Sequence, residues 1–300
     1  MRQGGTILTR KIGYLGPKGT FTKIAVDALF NGENKLSFRT IPECIEAVEK
    51  GEVDFGVVPL ENAIEGSVNL TVDYLSQKSS LKIISELVVP IRQHLMVHPT
   101  NQKNWKNIEV IYSHPQALAQ CHDYLHTQLS VATTEEMSST GAAAKYVSEN
   151  PQLQIGAIAN HLAAEEYGLT MVEKDIHDFT NNHTRFVVLH QGDYQLIPKK
   201  VEEKGQKTSL IVMLGDDHPG QLHQVLSVFA WRRLNLSKIE SRPMKTGLGN
   251  YFFFIDVEAK MEDGVLIPNA IAELESLGCT VKVLGSYSYY MLNGLSVQTS

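Results

Sequence analysis

A chain of 300 residues is long enough for about two domains of ordinary size. Charged residues at 20% and Ala, Val, Ile, Leu, Met, Phe, Trp, Tyr and Cys together at 43% are ordinary globular proportions and argue against wholesale disorder. The formal charge of −6, from 27 Lys and Arg against 33 Asp and Glu, argues against a protein whose affinity rests on neutralising many phosphates, so no nucleic-acid partner is expected.

Residues 1 to 10 read as a loose polar tail. The opening MRQGGTILTRKIGYLG is basic but lacks a continuous apolar stretch, so it is not expected to be a secretory signal. No apolar run approaches the roughly 18 residues of a membrane span, and no membrane association is expected. Cys44, Cys121 and Cys279 are odd in number and lack CxxC spacing, which suits a reducing cytoplasm.

From Lys11 the pattern is strand, turn, helix, repeated. IGYLG (12–16) is a strand before a Gly-Pro turn, and FTKIAVDALF (21–30) is a helix. ECIEAVEKG (43–51) is a helix closed by glycine, and DFGVVP (54–59) a buried strand closed by proline. SVNLTVDYLSQ (67–77) is amphipathic, and LKIISELVVPI (81–91) is rich in strand formers. HLMVH, EVIYS with the helix PQALAQCHDYL, SSTGAAAKYVSEN, and IGAIA with NHLAAEEYG follow, and RFVVLH (185–190) closes the series. The alternation predicts α/β layers around a largely parallel sheet. QGDYQLIPKKVEEKGQK (191–207) has linker composition. Beyond it, TSLIVML, HPGQLHQVLSVFAWRRLN, LSKIESRP, a glycine-rich turn, NYFFFIDVEA, VLIPNAIAELESLG and TVKVLGSYSYY run β-α-β-β-α-β, the order of a ferredoxin-like sandwich. The expected domains are 11–190 and 207–290.

In open α/β sheets, ligands sit beyond the carboxyl ends of strands, where helix N-termini converge. The tips there are GPKGTFT (16–22), LENAIEGSV (60–68), SHPQ (113–116) and SST (138–140), and HDFTNNHTR (177–185) comes before the last strand. They are dense in hydroxyls, amides and backbone N–H groups, with Lys18 and Arg185 as cations, which suits a small anionic organic molecule. Each tip alone has an ordinary explanation. GPKGT lacks the ending of a P-loop, Glu61 and Glu65 can cap a helix, and Ser113 and Ser139 are good N-caps. HDYLH (122–126) places two histidines at i and i+4, but beside the apolar stripe of Leu118, Cys121 and Leu125 they read as half-buried helix residues rather than metal ligands. His94 and His98 on a strand stand about 13 Å apart, too far to share a metal. Asp178 and His183 lack the GxSxG elbow of a hydrolase.

Taken together, GPKGTFT (16–22), VPLENAIEGSV (58–68), SHPQALAQC (113–121), SSTGAAA (138–144) and DFTNNHTRF (178–186) resemble the signatures of prephenate dehydratases, from about Lys11 to about Tyr290. Ala63 stands where the family has serine. HPGQLHQVL (218–226) and IESRP (239–243) resemble that family's C-terminal ACT regulatory domain, with Gln221 where alanine is usual.

The resemblance implies two α/β lobes like those of type II periplasmic binding proteins, left near Gln93 and rejoined near Asp175, with the site between them. It implies decarboxylation of prephenate with loss of the ring hydroxyl, giving phenylpyruvate. Aromatisation drives that reaction, so no metal or other cofactor is expected. Without chorismate mutase helices before Lys11, a monofunctional enzyme is expected. The resemblance assigns Thr184 as donor to the leaving hydroxyl, with Asn62, Ser113 and Gln120 beside it and Glu61 orienting them. Preorganised donors around the hydroxyl and desolvation of the ring carboxylate are expected to supply most of the acceleration.

Thr20, Ser139, Thr140, Asn182, Arg185 and Phe186 are the expected substrate contacts. Side-chain alternation leaves two readings of Arg185: neutralising a substrate carboxylate, or pairing with an acid behind the strand. L-phenylalanine is the implied effector, held between the ACT domains of a homodimer or homotetramer by His218, Pro219, Gly220, Gln221, Leu222, Glu240, Ser241, Arg242 and Pro243. Gly220 would admit the ligand to a helix N-terminus and Glu240 would take its ammonium. The plain alternative for that domain is dimerisation alone. For the whole chain the alternatives are a non-catalytic solute-binding protein and an arogenate dehydratase.

Overall fold

The computed structural model describes residues 10–215, 219–244, 251–262 and 264–292. The tail at 1–9, the effector position His218 and the turn at 245–250 lie outside the described residues. The first lobe runs β1 (Lys11–Leu15), α1 (Phe21–Leu29), β2 (Asn34–Phe38), α2 (Ile41–Glu49), β3 (Phe55–Asn62), β4 (Gly66–Ser67), α3 (Asn69–Gln77) and β5 (Lys82–Pro90). The second holds β6 (His94–Val97), a 3₁₀ segment (Pro99–Asn107), β7 (Val110–Ser113), α4 (Pro115–Ala119), α5 (His122–Gln128), β8 (Thr133–Glu136), α6 (Thr140–Glu149), β9 (Ile155–Ala159), α7 (His161–Tyr167) and β10 (Thr170–Glu173). The chain then returns to the first lobe as β11 (His183–His190). The two crossings lie side by side, with Ile91 N–H bonded to the Asn182 carbonyl at 2.8 Å and Ile176 N–H to that of Gln93 at 2.9 Å.

Local chemistry starts α1, α2 and α6. Thr20, Thr40 and Ser139 each accept a backbone N–H of the first turn, and Glu43 reaches back from α2 to the Arg39 N–H. The sheets differ from expectation: they are mixed. β1 is parallel to β2 and β3, but β11 runs antiparallel to both β3 and β5. A strand that arrives from another lobe, rather than over a crossover helix, is free of the parallel constraint.

Three element boundaries also move. β3 continues through Pro59 to Asn62, because the β11 register shifts opposite that proline and needs no N–H from it. The predicted helix over PQALAQCHDYL breaks into α4 and α5 at Cys121 (φ −119°, ψ 19°), and the Gln120 carbonyl takes the Asp178 N–H at 2.7 Å instead. The linker ends early: β12 (Glu202–Met213) begins inside the charged segment because β15 (Thr280–Met291) supplies it a partner.

Those two strands frame the C-terminal domain, with α8 (Gln221–Trp231), β13 (Leu236–Pro243), β14 (Tyr251–Val257) and α9 (Leu266–Ser276) between them. The predicted β-α-β-β-α-β order holds, with sheet order β13-β14-β12-β15. One sheet face buries Leu210, Val212, Phe253 and Ile255 under Val225, Phe229 and Leu274 of the helices. The other packs Ile211, Phe252, Phe254 and Tyr287 against Val72, Leu75 and Ile83 of the first lobe. Strand β15 also pairs in parallel with β5, which makes one sheet of both domains. There Gly285 lies so near that a Cβ would stand 2.0 Å from the Ile83 carbonyl oxygen, and only glycine permits that approach.

At the lobe junction His94 is buried, and its Nδ1 accepts the Asp175 N–H at 3.0 Å. Burial holds its pKa down to about 4, with His161, His177 and Arg92 acting the same way and Asp175 opposing. Burial likewise lowers His114 and His161. The unfolded chain therefore binds more protons than the folded one below the ordinary histidine value of about 6.5. Thermal melts should show stability level above that pH and falling as pH drops towards 4, and His94→Gln should flatten the slope between pH 6.5 and 5. A slope unchanged by the substitution would remove His94 as a contributor.

Candidate active site

The centre is built where β3 ends and β11, running antiparallel to it, begins. Their register sets Thr184 opposite Asn62 and Arg185 opposite Glu61. The Asn62 Oδ1 accepts the backbone N–H groups of Ile64 (3.0 Å) and Glu65 (3.1 Å), a local turn that fixes which way its amide points. Its Nδ2 then donates to Thr184 Oγ1 at 2.9 Å and to Asn182 Oδ1 at 2.9 Å, with the His183 carbonyl at 3.3 Å. Asn182 passes the polarity on, donating from Nδ2 to Gln120 Oε1 at 3.0 Å. Because Thr184 accepts from Asn62, its own O–H proton is left to donate to a ligand. By the same logic Gln120 keeps its amide hydrogens.

Thr184, Asn62, Gln120, Thr20, Ser139, Thr140 and Phe186 all line one cleft of about 700 Å³ between the lobes. The N-termini of α1 and α6 open on it, and their backbone N–H groups favour an anion. The GPKGT turn seats the first lobe on the second: Asn160 Nδ2 donates to the Gly19 carbonyl at 2.9 Å and the Tyr167 hydroxyl to that of Lys18 at 3.1 Å. A Cβ on Gly141 would come 2.7 Å from the same Lys18 oxygen, so helix and turn are in backbone contact.

Several expected residues lie elsewhere. Ser113 is fully buried and donates to the Ile158 carbonyl at 2.6 Å, tying β7 to β9 rather than facing the cleft. Asn182 is 2% exposed and stands behind the lining, holding Asn62 and Gln120. Glu61 makes no hydrogen bond to the Asn62 side chain. As its neighbour on a strand it faces the other way, towards Arg185 (2.6 Å) and Lys238 (2.6 Å). Arg185 takes the second of its two readings, pairing with Glu61, Glu86 (2.5 Å) and Asp256 (2.6 Å) on the reverse of the sheet. Lys18 points out to Glu166 at 3.3 Å. His122 and His126 are exposed rather than half-buried, with stacked rings 6.0 Å apart, and among the described residues no three His, Cys, Asp or Glu are grouped to hold a metal.

The cleft also has members that sequence reasoning misses. Arg39 is its one cationic side chain among the described residues. It follows β2 and precedes the α2 cap, the same strand-end position that marks the other tips. Gln93 is 3% exposed, lines the cleft at the first crossing, and among the described residues its Oε1 has no hydrogen-bond partner. His114 accepts the Gln116 N–H on Nδ1 at 3.3 Å, so the neutral ring carries its proton on Nε2, and burial outweighs Glu136 and Glu65 in holding its pKa down. The Ala63 N–H bonds to the His183 carbonyl at 2.8 Å, a contact the departure from serine leaves intact.

A second pocket of about 550 Å³ lies in the C-terminal domain, with Pro219, Gly220, Gln221, Leu222 and Ser241 among its lining. Gly220 caps α8 at φ 92°, a conformation that favours glycine. Among the described residues, buried Gln221 Oε1 has no hydrogen-bond partner there. Glu240 and Arg242 do not join it. Alternation on β13 turns them to the first lobe, where Glu240 meets Ser67 and Lys238, and Arg242 meets Asp73 (2.8 Å). Pro243 is exposed and is not part of the lining.

The family model described as "Prephenate dehydratase" matches residues 12–194, and that described as "ACT domain" matches residues 208–275. The prephenate dehydratase of Bacillus subtilis is 55% identical over 287 residues, covering 94% of this chain and all of that one. The structure of an Arthrobacter aurescens prephenate dehydratase in complex with L-Phe superposes with a TM-score of 0.81 at 34% identity, covering 92% of this chain and 89% of that one. A structure described as GqqA, a quorum-quenching acylase, reaches the same TM-score at 26% identity, covering 93% and 98%.

Proposed function

The chain belongs to the prephenate dehydratase family, and on that premise we propose that its cleft converts prephenate to phenylpyruvate, water and carbon dioxide. The observation that carries the reading is the locked Asn62–Thr184 pair, 2.9 Å apart, which leaves the Thr184 hydroxyl proton free to donate into a cleft lined by neutral donors together with Arg39 and Glu65. Hydroxide leaves a carbon poorly, and a donor to the departing oxygen lowers that barrier. In the proposed step the ring carboxylate leaves as carbon dioxide, its C–C electrons enter the ring, and the C–O bond breaks. The oxygen departs as water after gaining one proton through the Thr184 hydroxyl. Donors fixed before the reaction need no reorganisation as charge develops on that oxygen.

The two substrate carboxylates fall to the N-termini of α1 and α6, the Gln120 amide and Arg39. Arg39→Ala should raise KM for prephenate about tenfold, the scale of one charge-assisted hydrogen bond at a half-open site, and change kcat less. Steady-state kinetics on the purified variant decide it, and an unchanged KM would take Arg39 out of the site.

L-phenylalanine is proposed as the effector, bound beside Gly220, where the α8 N-terminus favours its carboxylate and the Gln221 oxygen offers an acceptor to its ammonium. Among the described residues β13 is the edge strand of its sheet, with Ile239 exposed, a surface suited to a second copy in a homodimer or homotetramer. Buried, unlinked cysteines fit a cytoplasmic enzyme. Incubation with prephenate and with arogenate, read by ultraviolet absorbance of the aromatic product, separates the dehydratases and tests for turnover. Calorimetry with L-phenylalanine tests the effector. Turnover of neither substrate would overturn the reading.

A further inference from the structure

The reverse face of the catalytic strand pair carries a polar cluster that the reaction itself does not use. Arg185 follows Thr184 on β11 and Glu61 precedes Asn62 on β3, so each reacting or orienting side chain has an immediate neighbour pointing through the sheet. Behind the sheet these neighbours meet the C-terminal domain. Arg185 Nη2 binds Asp256 Oδ2 at 2.6 Å, and Lys238 Nζ binds Glu61 Oε1 at 2.6 Å. Glu86 of β5 takes Arg185 at 2.5 Å and Lys207 at 2.7 Å. Asp256 is held from its own side by Ser209 Oγ at 2.5 Å, which also meets the Tyr287 hydroxyl at 2.7 Å.

We propose that Arg185 and Glu61 are positioning residues through which the C-terminal domain, by Asp256 and Lys238, sets the placement of Thr184 and Asn62. The site-side residues and their anchors are one peptide unit apart on the same two strands. A displacement of Asp256 or Lys238 therefore reaches the reacting hydroxyl without any intervening packed layer. The ladder is least able to resist it there, because the β3–β11 register shifts between Arg185 and Phe186. The pairs are also largely shielded from water: Glu86 and Asp256 have no exposed side-chain surface, Lys238 has 9%, Arg185 15% and Glu61 25%. A pair in such surroundings is worth little as a general stabiliser relative to a well-packed apolar substitute, but it is selective about geometry. A ligand that favours one docking of the C-terminal domain over another thus changes the cleft by its difference in affinity for the two.

This inference rests on the proposed reaction, and the experiment separates the two. Asp256→Asn and Lys238→Met keep volume while removing the cross-domain charge. Each should lower kcat at least fivefold with KM within twofold of the parent, and each should shift the half-inhibitory L-phenylalanine concentration at least threefold. Lys238→Arg, which restores the charge opposite Glu61, should bring kcat back to within twofold. A merely structural role would lower Tm and leave the split between kcat and KM and the effector response as they were, and that result overturns the inference. Lys238 lies at the domain edge, so its two variants decide the question even where Asp256→Asn fails to fold. A parent protein that turns over no prephenate overturns the functional reading, and this inference with it. An active parent matched by its variants overturns this inference alone.

Discussion

Thr184→Ala is expected to lower kcat by about 10²–10⁴, the range typical of losing a positioned proton donor, with KM nearly unchanged. The hydroxyl is needed only as the C–O bond breaks, so its loss falls on the transition state rather than on binding. The fold should survive. Thr184 is 8% exposed and lines the cleft, and Asn62 Nδ2 retains Asn182 Oδ1 and the His183 carbonyl as acceptors. Thr184→Ser, which restores a hydroxyl at the same carbon, should recover most of the rate. Steady-state kinetics with a circular-dichroism melt check all three statements, and near-normal turnover of the alanine variant would remove Thr184 from the mechanism.

The largest expected loss of stability comes from the next residue. Arg185→Met leaves Glu61, Glu86 and Asp256 without their shared guanidinium, and two of those carboxylates have no exposed side-chain surface. Removing one partner of a buried pair costs about 3–5 kcal/mol, which for a chain of this size is a fall in Tm of roughly 5–8 °C. The loss should depend on pH. Burial alone would raise the pKa of Glu61 and Glu86, but Arg185 with Lys238 at the first and Lys207 at the second outweighs it and holds both below the usual glutamate value. A lowered folded pKa contributes stability that is complete above the unfolded value of about 4.3 and is lost as pH falls through the folded one. The gap in Tm between parent and variant should therefore be widest near neutral pH and narrow below about pH 4.5. The histidines common to both proteins cancel in that difference. A constant gap from pH 7 to 4 would show that packing, not charge, is what Arg185 contributes.

Much of the site is legible in the sequence because it uses short-range rules. Asn62 locks on its own turn, Thr20 and Ser139 cap their own helices, and Gly220 opens its own. Such contacts span three residues or fewer, so residue type and spacing announce them. The mismatches share a cause as well. Ser113, Glu61, Arg185, Glu240 and Arg242 are assigned to sites by neighbourhood in a motif, yet each lies on a strand, where one step in sequence turns a side chain to the opposite face. Arg185 cannot be assigned from its motif because its partners Glu86 and Asp256 lie 99 and 71 residues away.

The sequence by itself determined most of the elements, the β-α-β-β-α-β order of the C-terminal domain and the strand-end tips, since periodicity, caps and turn residues act within a few positions. Tertiary structure alone decided the antiparallel entry of β11, the joining of β15 to β5, and which side of the sheet meets substrate and which meets the second domain. Those depend on pairings between distant segments, whose register no local pattern specifies.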